Sequence, residues 1–220
     1  MALKELSNLS QLEQVVFAKP RTPTNPGQTL HEPGLFPIQL ELWNTILSRV
    51  DTCLATRIRD LLPSKPVTQR DHADHYVKYD CTGFAFYVLG DNFLDGITES
   101  VYEGSVIKSP EPMILWKDIP WWHTKDVLVK YGLRKVDSPN SLKPTLVVFT
   151  IEDPNFDYSQ PSHFAIHLGN FNGQMWLAQK ANAEYLPDLV PLSQIKNVYR
   201  GEAGKYNKND PGIEFWELDD

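Results

Sequence analysis

Apolar residues recur at three- and four-residue steps between Ile38 and Leu62, the spacing that places side chains on one face of an α-helix. These positions are Leu40, Trp43, Ile46, Leu47, Val50, Leu54, Ile58 and Leu61. The pattern predicts one long amphipathic helix. Before it, residues 18–37 hold five prolines and two glycines. That composition opposes helices and sheet ladders, and it predicts an extended arm on the surface.

A second apolar run, residues 84–90, has a length that fits either a strand or a buried helix. The last third of the chain is predicted to be β-structure, because turn formers separate its short apolar runs. The predicted strands are 145–150, 162–169, 173–178 and 213–218. Short connections imply antiparallel pairing. Because helices precede strands, we predict the α+β class.

The charge of the chain bears on its partners. Its 220 residues include 28 acidic and 21 basic side chains, a net charge of -7, and no basic cluster offsets it. We therefore expect neither a nucleic acid nor an anionic membrane as a partner. The N-terminal residues lack the apolar run of a signal peptide, and no stretch approaches the roughly 20 apolar residues of a membrane span. We expect a cytoplasmic protein, or one exported by a non-classical route.

The two cysteines are candidates for chemistry, and both are expected to be reduced thiols. Cys53 lies beside the apolar stripe and is interpreted as a small buried hydrophobe. Cys81 would stand at the first turn of a helix if residues 84–90 are helical. Free amides there favour an anion by only about 0.3–1 kcal/mol, against a free thiol pKa near 8.5. We therefore expect a nearby imidazolium to make Cys81 a thiolate.

Histidines at two positions of the run 162–169 share one face of its predicted strand. Strand periodicity places Phe164, Ile166 and Leu168 on one face, and His163, Ala165, His167 and Gly169 on the other. We expect the first face to pack on the core. The second face is expected to be polar, and its small residues would leave room for a helix-borne thiol to approach.

Three segments in this order resemble the NlpC-type cell-wall endopeptidases, a branch of the papain-like cysteine peptidases. Residues 79–84 (YDCTGF) are similar to the family's Asp-Cys-Ser-Gly nucleophile motif, with Thr82 in place of its serine. Residues 142–149 (LKPTLVVF) are similar to its Leu-Lys-Pro-Gly-Asp-Leu-Val-Phe-Phe strand. Residues 162–170 (SHFAIHLGN) are similar to its His-Val-Gly-Ile-Tyr-Leu-Gly-Asn strand. The likeness covers about residues 76–200.

The resemblance implies a papain-like fold, with N-terminal helices packed on an antiparallel β-sheet. We predict an N-terminal extension, 1–75, that holds the Pro-rich arm and the amphipathic helix. A catalytic domain, 76–220, follows it. Cys81 and His163 stand 82 positions apart, more than is usual in the family, which implies an insertion near 91–135.

The resemblance also implies roles for individual residues. Cys81 would be the nucleophile, with its backbone amide in an oxyanion hole, and His163 would be the base. The family's third residue, which orients the imidazole, falls near Leu177, and leucine cannot do this. Gln179 shares the strand face of Leu177 and is our candidate for the orienting residue, with Asn182 in reserve.

Four further residues are predicted to bind substrate. In the family, the position of Asp80 helps to bind the free amino group of a peptide stem, and a nearby tyrosine, here Tyr79, lines the pocket. Ser162 is assigned to the same pocket. His167 takes the place of a family tyrosine, and we interpret it as a pocket wall rather than a second base.

Two other groups of residues could be functional. Trp116, Trp121, Trp122 and His123 would form either a lid over the cleft or the core of an enlarged domain. The Asp-His pairs of residues 71–75 have a spacing that occurs in zinc sites, but thiol and carboxylate ligands that would complete a site are not arranged nearby. We expect a polar surface loop there, and neither a metal nor another cofactor.

The leading functional hypothesis is a cysteine hydrolase, a peptidase or amidase that cleaves an amide bond through an acyl-enzyme. By resemblance, the enzyme is a bacterial thiol protease and its substrate is a peptidoglycan stem peptide or another peptide. The first alternative keeps the catalytic pair in an acyltransferase, transglutaminase or deamidase that acts on a protein. The second is a non-catalytic binding domain that has kept the fold. The oligomeric state is left open.

Overall fold

Helices precede an antiparallel sheet along the chain, so the class is α+β, as predicted. The computed structural model describes residues 36–62, 79–90, 93–102, 105–113, 124–139, 143–152, 159–180, 187–195 and 212–219. Its helices are α1 (Phe36–Leu47), α2 (Thr52–Leu61), α3 (Cys81–Leu89) and α4 (Thr124–Lys130). Its strands are β1 (Leu94–Tyr102), β2 (Ser105–Pro112), β3 (Leu133–Val136), β4 (Thr145–Glu152), β5 (Ser159–Phe171), β6 (Gln174–Gln179), β7 (Asp188–Pro191) and β8 (Gly212–Leu218).

The apolar stripe predicted to form one helix forms two, α1 and α2. The break is at Asp51, whose carboxylate accepts the amides of Cys53 and Leu54 at 2.9 and 3.1 Å and so starts a new helix. This cap also turns the start of α2 toward solvent. Cys53 is therefore exposed, and its interpretation as a buried residue was wrong.

The ambiguous apolar run 84–90 lies in helix α3, which Asp80 caps in the same way. Its carboxylate accepts the amides of Thr82 at 2.9 Å and Gly83 at 3.2 Å. Every residue of α3 after Cys81 is buried. A side chain at position 83 would meet the Cβ of Tyr79 at 2.8 Å, so glycine allows the preceding segment to pack against the first turn.

The main sheet has the strand order β3-β8-β4-β5-β6-β7, and all its described neighbours are antiparallel. The four strands predicted from the sequence are its central ones, β8, β4, β5 and β6. The short strands β3 and β7 and the separate β1–β2 hairpin were not predicted. Strands β3 and β7 are only four residues long, and the hairpin contains Gly96, Pro110 and Pro112, residues that disfavour strands.

Both faces of β5 are buried. On one face, Phe164 and Ile166 lie in a core that includes residues of α1, α2 and α3. On the other face, Ala165 lies in a second core with Phe149, Leu177 and further residues of β4 and β7. His163 and His167 are 1% and 3% exposed. The expectation of a polar face with open space beside it was wrong, because Ala165 on this face packs with apolar residues of the other strands.

Strand β5 continues past the end of β6. Its pairing with β6 stops at Ala165 opposite Gln179, whereas its pairing with β4 continues to Ser159 opposite Glu152. His163 therefore lies beyond the last paired residue of β6. The N-terminus of α3 lies at the same place, and this end of the sheet holds the candidate site.

Several predictions fall outside the described residues: most of the Pro-rich arm, the Asp-His pairs of 71–75, the tryptophan patch 116–123 and Asn182. The described helices of the predicted N-terminal extension, α1 and α2, share one hydrophobic core with α3. Within the described part of the chain, no helix has both the length and the apolar character needed to span a membrane.

Candidate active site

Cys81 is the first residue of α3, and its side chain is half-buried. Its sulfur accepts hydrogen bonds from the backbone amide of Phe164 and from the hydroxyl and amide of Thr82, which favour the thiolate. Burial opposes them, and so does the negative charge of Asp80. Although Cys81 keeps some exposed surface, the packing around it raises the thiol pKa to about 11.

His163 makes a short hydrogen bond to Gln179. The ring Nε2 and the amide Oε1 are 2.6 Å apart. Because a carbonyl oxygen only accepts, Nε2 must carry the proton, and the neutral ring holds its lone pair on Nδ1. Gln179 lies opposite Ala165, one pair along from His163 on the same face. The aromatic ring of Phe149 lies 5.8 Å from the imidazole, centroid to centroid.

Two contacts place the thiol and the imidazole at the same end of β5. The sulfur of Cys81 meets the amide of Phe164, the residue after His163. Asp80, the residue before Cys81, is close enough to His163 for its charge to raise the imidazole pKa. Cys81, His163 and Gln179 thus lie at the same end of β5.

The resting pair is neutral rather than ionic. Burial lowers the pKa of His163 to about 4, more than the hydrogen bond to Gln179 and the charge of Asp80 raise it. With the Cys81 pKa near 11, both groups are uncharged at pH 7. An imidazolium that makes Cys81 a thiolate, as expected from the sequence, is therefore absent from this end of β5 because burial disfavours both charges.

The predicted substrate-binding residues lie in different surroundings. Asp80 is exposed, but one of its oxygens caps α3. Tyr79 is only 3% exposed and packs inside the core. The Ser162 hydroxyl donates to the carbonyl of Phe149 at 3.0 Å, within the sheet. Of this set, Asp80 alone has a side chain that is both exposed and adjacent to Cys81.

His167 is not beside the catalytic pair. It lies four residues along β5 from His163, about 13 Å at the rise of a strand. Its neighbours across the sheet are Thr145 of β4 and Leu177 of β6. Thr145 in turn donates to Glu217 at 3.1 Å. His167 therefore belongs to a buried polar row, and Leu177, where the family's third residue falls, belongs to the second core.

The sequence analysis missed Lys180. This residue follows β6 directly and is fully buried, at 0% exposure. Its Nζ lies 4.8 Å from the centre of the Tyr79 ring. Burial lowers its pKa to about 7, although the charges of Asp80 and Cys81 act to raise it. Strand alternation places Lys180 and Gln179 on opposite faces, but the sequence does not show that a lysine at a strand end is buried.

The comparisons with known proteins neither support nor contradict the resemblance to the NlpC-type endopeptidases. No family model matches the chain, and no curated protein or solved structure matches it. Within the described ranges, no group of three or more histidine, cysteine or acidic residues is placed to hold a metal ion. The residues at the end of β5 are those of nucleophilic and acid–base chemistry.

Proposed function

We propose that the protein is a cysteine hydrolase that cleaves an amide bond through an acyl-enzyme, on a papain-like fold of the NlpC type. The observation that carries this proposal is the 2.6 Å hydrogen bond between His163 and Gln179. The residue after His163 is Phe164, and its backbone amide donates a hydrogen bond to the sulfur of Cys81. Nucleophile, base and orienting group are the three parts that covalent catalysis by a thiol requires.

The first half of the reaction forms the acyl-enzyme. The Cys81 S–H bond breaks, its proton passes to Nδ1 of His163, and the sulfur attacks the carbonyl carbon of the amide. The tetrahedral intermediate collapses as the C–N bond breaks, and His163 returns the proton to the departing amine. Gln179 accepts the hydrogen bond from Nε2, which leaves Nδ1 as the ring nitrogen that can take the proton.

The second half releases the acid. His163 takes a proton from a water molecule, and the hydroxide attacks the thioester carbon. The C–S bond then breaks as His163 returns the proton to the sulfur, which restores the thiol. The cap at Asp80 leaves the start of α3 exposed beside Cys81. A substrate can therefore approach the sulfur from the solvent side.

The neutral pair determines how the proton moves. With a thiol pKa near 11 and an imidazole pKa near 4, full proton transfer before attack is unfavourable. Proton transfer and sulfur attack are therefore concerted, as general-base catalysis allows. By resemblance, the substrate class is a peptide amide such as that of a peptidoglycan stem.

The proposal is tested with the whole protein and a mixture of soluble peptidoglycan fragments and dipeptide amides. The products are identified by mass spectrometry, and an acid quench traps the covalent intermediate. We expect release of an amine and an acyl adduct on the peptide that contains Cys81. Cys81→Ala should abolish both, and Cys53→Ala, at the exposed cysteine of α2, should change neither.

An added nucleophilic amine distinguishes hydrolysis from acyl transfer. A free acid as the main product supports the hydrolase, and a new amide in its place identifies a transferase that uses the same thioester. The proposal is overturned if no adduct forms on Cys81 and if His163→Ala leaves the alkylation rate of Cys81 unchanged. A binding domain would give that result.

A further inference from the structure

Lys180 is a buried cation beside the candidate nucleophile that the mechanism above does not use. Its side chain is fully buried on the helix-facing side of the sheet, opposite to Gln179. Its Nζ lies over the ring of Tyr79 at 4.8 Å, a cation–π distance that holds the ammonium group in one place. Tyr79 is two residues before Cys81, so the ammonium lies at the start of α3.

The charged and titratable groups that face this ammonium group come from two elements. Asp80 and Cys81, at the start of α3, both favour its protonated form, and Tyr79 faces it with its ring. His163 of β5 lies near the same carboxylate but stays neutral. Lys180 is therefore the described group beside Cys81 that can carry a positive charge near neutral pH.

We propose that Lys180 stabilises the negative charge that develops on the sulfur of Cys81 as its proton passes to His163, so that a buried ammonium group assists the imidazole in forming the nucleophile. The proposal rests on the proposed function, since it assigns to Lys180 a role in forming that nucleophile. Lys180 acts through its charge and is a positioning residue. Its location on one face of the sheet, with His163 and Gln179 on the other, divides the electrostatic role from the proton-transfer role.

Lys180 neither gains nor loses a proton in this step. The S–H bond of Cys81 breaks, the proton goes to Nδ1 of His163, and the electron pair stays on sulfur. The ammonium group lowers the energy of the negative sulfur. An opposite charge at such range shifts a pKa by about 1–3 units. Thiol reactivity changes less than the thiolate fraction, because a less basic thiolate is a weaker nucleophile.

The test measures alkylation of Cys81 by iodoacetamide between pH 5 and 11, with quantification of each cysteine peptide by mass spectrometry. Cys53, exposed on α2, is the reference thiol in every sample. In Lys180→Met, which keeps side-chain length without charge, we expect Cys81 to react about tenfold more slowly at pH 7 than in the wild type. The difference should shrink as the pH rises above the Lys180 pKa of about 7, because the ammonium group then loses its charge.

Two further variants separate charge from packing. Lys180→Arg keeps the charge and should restore most of the Cys81 rate. Lys180→Gln replaces the charged group with a neutral polar group and should behave like Lys180→Met. The conclusion on charge therefore does not depend on the folding of a single variant. A purely structural role for Lys180 would change the melting temperature while leaving the pH profile of Cys81 unaltered, and that result overturns the proposal.

Failure of this proposal is distinguishable from failure of the proposed function. If His163→Ala abolishes amide hydrolysis but Lys180→Met leaves the Cys81 profile unchanged, the role of Lys180 is refuted and the hydrolase stands. If the wild type cleaves no amide while Lys180→Met still slows Cys81 alkylation, the ammonium–thiolate pair stands and the hydrolase is refuted.

Discussion

His163 and His167 lie on one face of the same strand, are almost equally buried, and differ in their neighbours. His163 lies beyond the end of β6, with Gln179 2.6 Å from its Nε2. His167 lies where β5 has partners on both sides, and its buried Nε2 has no hydrogen-bond partner among the described residues. Burial lowers the pKa of each to about 4.

The comparison shows that burial and a shifted pKa do not by themselves mark a catalytic base. What distinguishes His163 is an acceptor that fixes its tautomer and a helix start that brings a thiol to the same strand end. His167 has a polar row of Thr145 and Glu217 but no nucleophile. Each prediction below tests this difference.

Removal of the two imidazoles should give the largest contrast. We expect His163→Ala to lower the rate of amide hydrolysis by about 10³-fold, because general-base catalysis contributes about 10²–10⁴-fold. His167→Ala should leave that rate within a few-fold of the wild type. Steady-state rates at pH 7, with circular dichroism to confirm folding, measure both. Equal losses in two folded variants would contradict the assignment.

Acid should destabilise the fold through both histidines. Each binds a proton near pH 6.5 when unfolded and only near pH 4 when folded. The unfolded chain therefore takes up protons first, and stability falls as the pH drops from about 6.5 toward 4. Between pH 7 and pH 5 the loss is about 2 kcal/mol for each histidine.

Urea unfolding at pH 7 and pH 5 measures that loss. His167→Gln should remove one histidine's share of the pH dependence and leave the other. If the variant loses as much stability as the wild type on acidification, His167 is not a buried neutral group in solution.

Gln179 should act on His163 and not on His167. We expect Gln179→Leu to lower the hydrolysis rate about tenfold, the lower end of the range for residues that orient a functional histidine. Gln179→Glu should raise the pKa of His163 by about 1–3 units, because a carboxylate favours the imidazolium. Histidine ring resonances followed by NMR through a pH titration measure both pKa values. A shift at His167 as well would show a general change of the fold.

The smallest effects are expected at the two helix caps, Asp51 and Asp80, which accept equivalent amides in α2 and α3. Replacement of either by alanine should cost about 1 kcal/mol of stability. Only Asp80→Ala should also lower the pKa of His163, because the Asp80 carboxylate raises it. Asp51→Ala is the matched control. An unchanged His163 titration in Asp80→Ala would place that carboxylate away from the imidazole.

The sequence predicted the α+β class and the central strands, and the catalytic roles of Cys81, His163 and Gln179 stay predictions. Alternation placed Gln179 on the face of Leu177, because a strand's faces follow from its period of two. That this face also carries His163 follows from the register between β5 and β6. Whether that face is exposed to solvent was not predictable, since the packing of Val190 and Leu177 with Ala165 depends on the order of the strands in the sheet. The break at Asp51 was also missed, because the apolar spacing continues through it.

Lys180 was missed for a different reason. A lysine that follows a strand is usually solvated, and nothing in its local sequence distinguishes a buried one. Its burial follows from the position of the start of α3, where Tyr79 covers the ammonium group. Such a contact joins residues about 100 positions apart in the chain, and local periodicity carries no information about it.

Gln179, the last residue of β6, and Lys180, which follows it, extend their side chains to opposite sides of the sheet. One peptide bond thus links an amide that serves the imidazole to an ammonium that serves the sulfur. Deletion of a single residue within β6 would turn the lysine toward His163 and remove the ammonium group from the side of Cys81. The length of this strand, and not only its composition, therefore governs whether the nucleophile and the base each face their own partner.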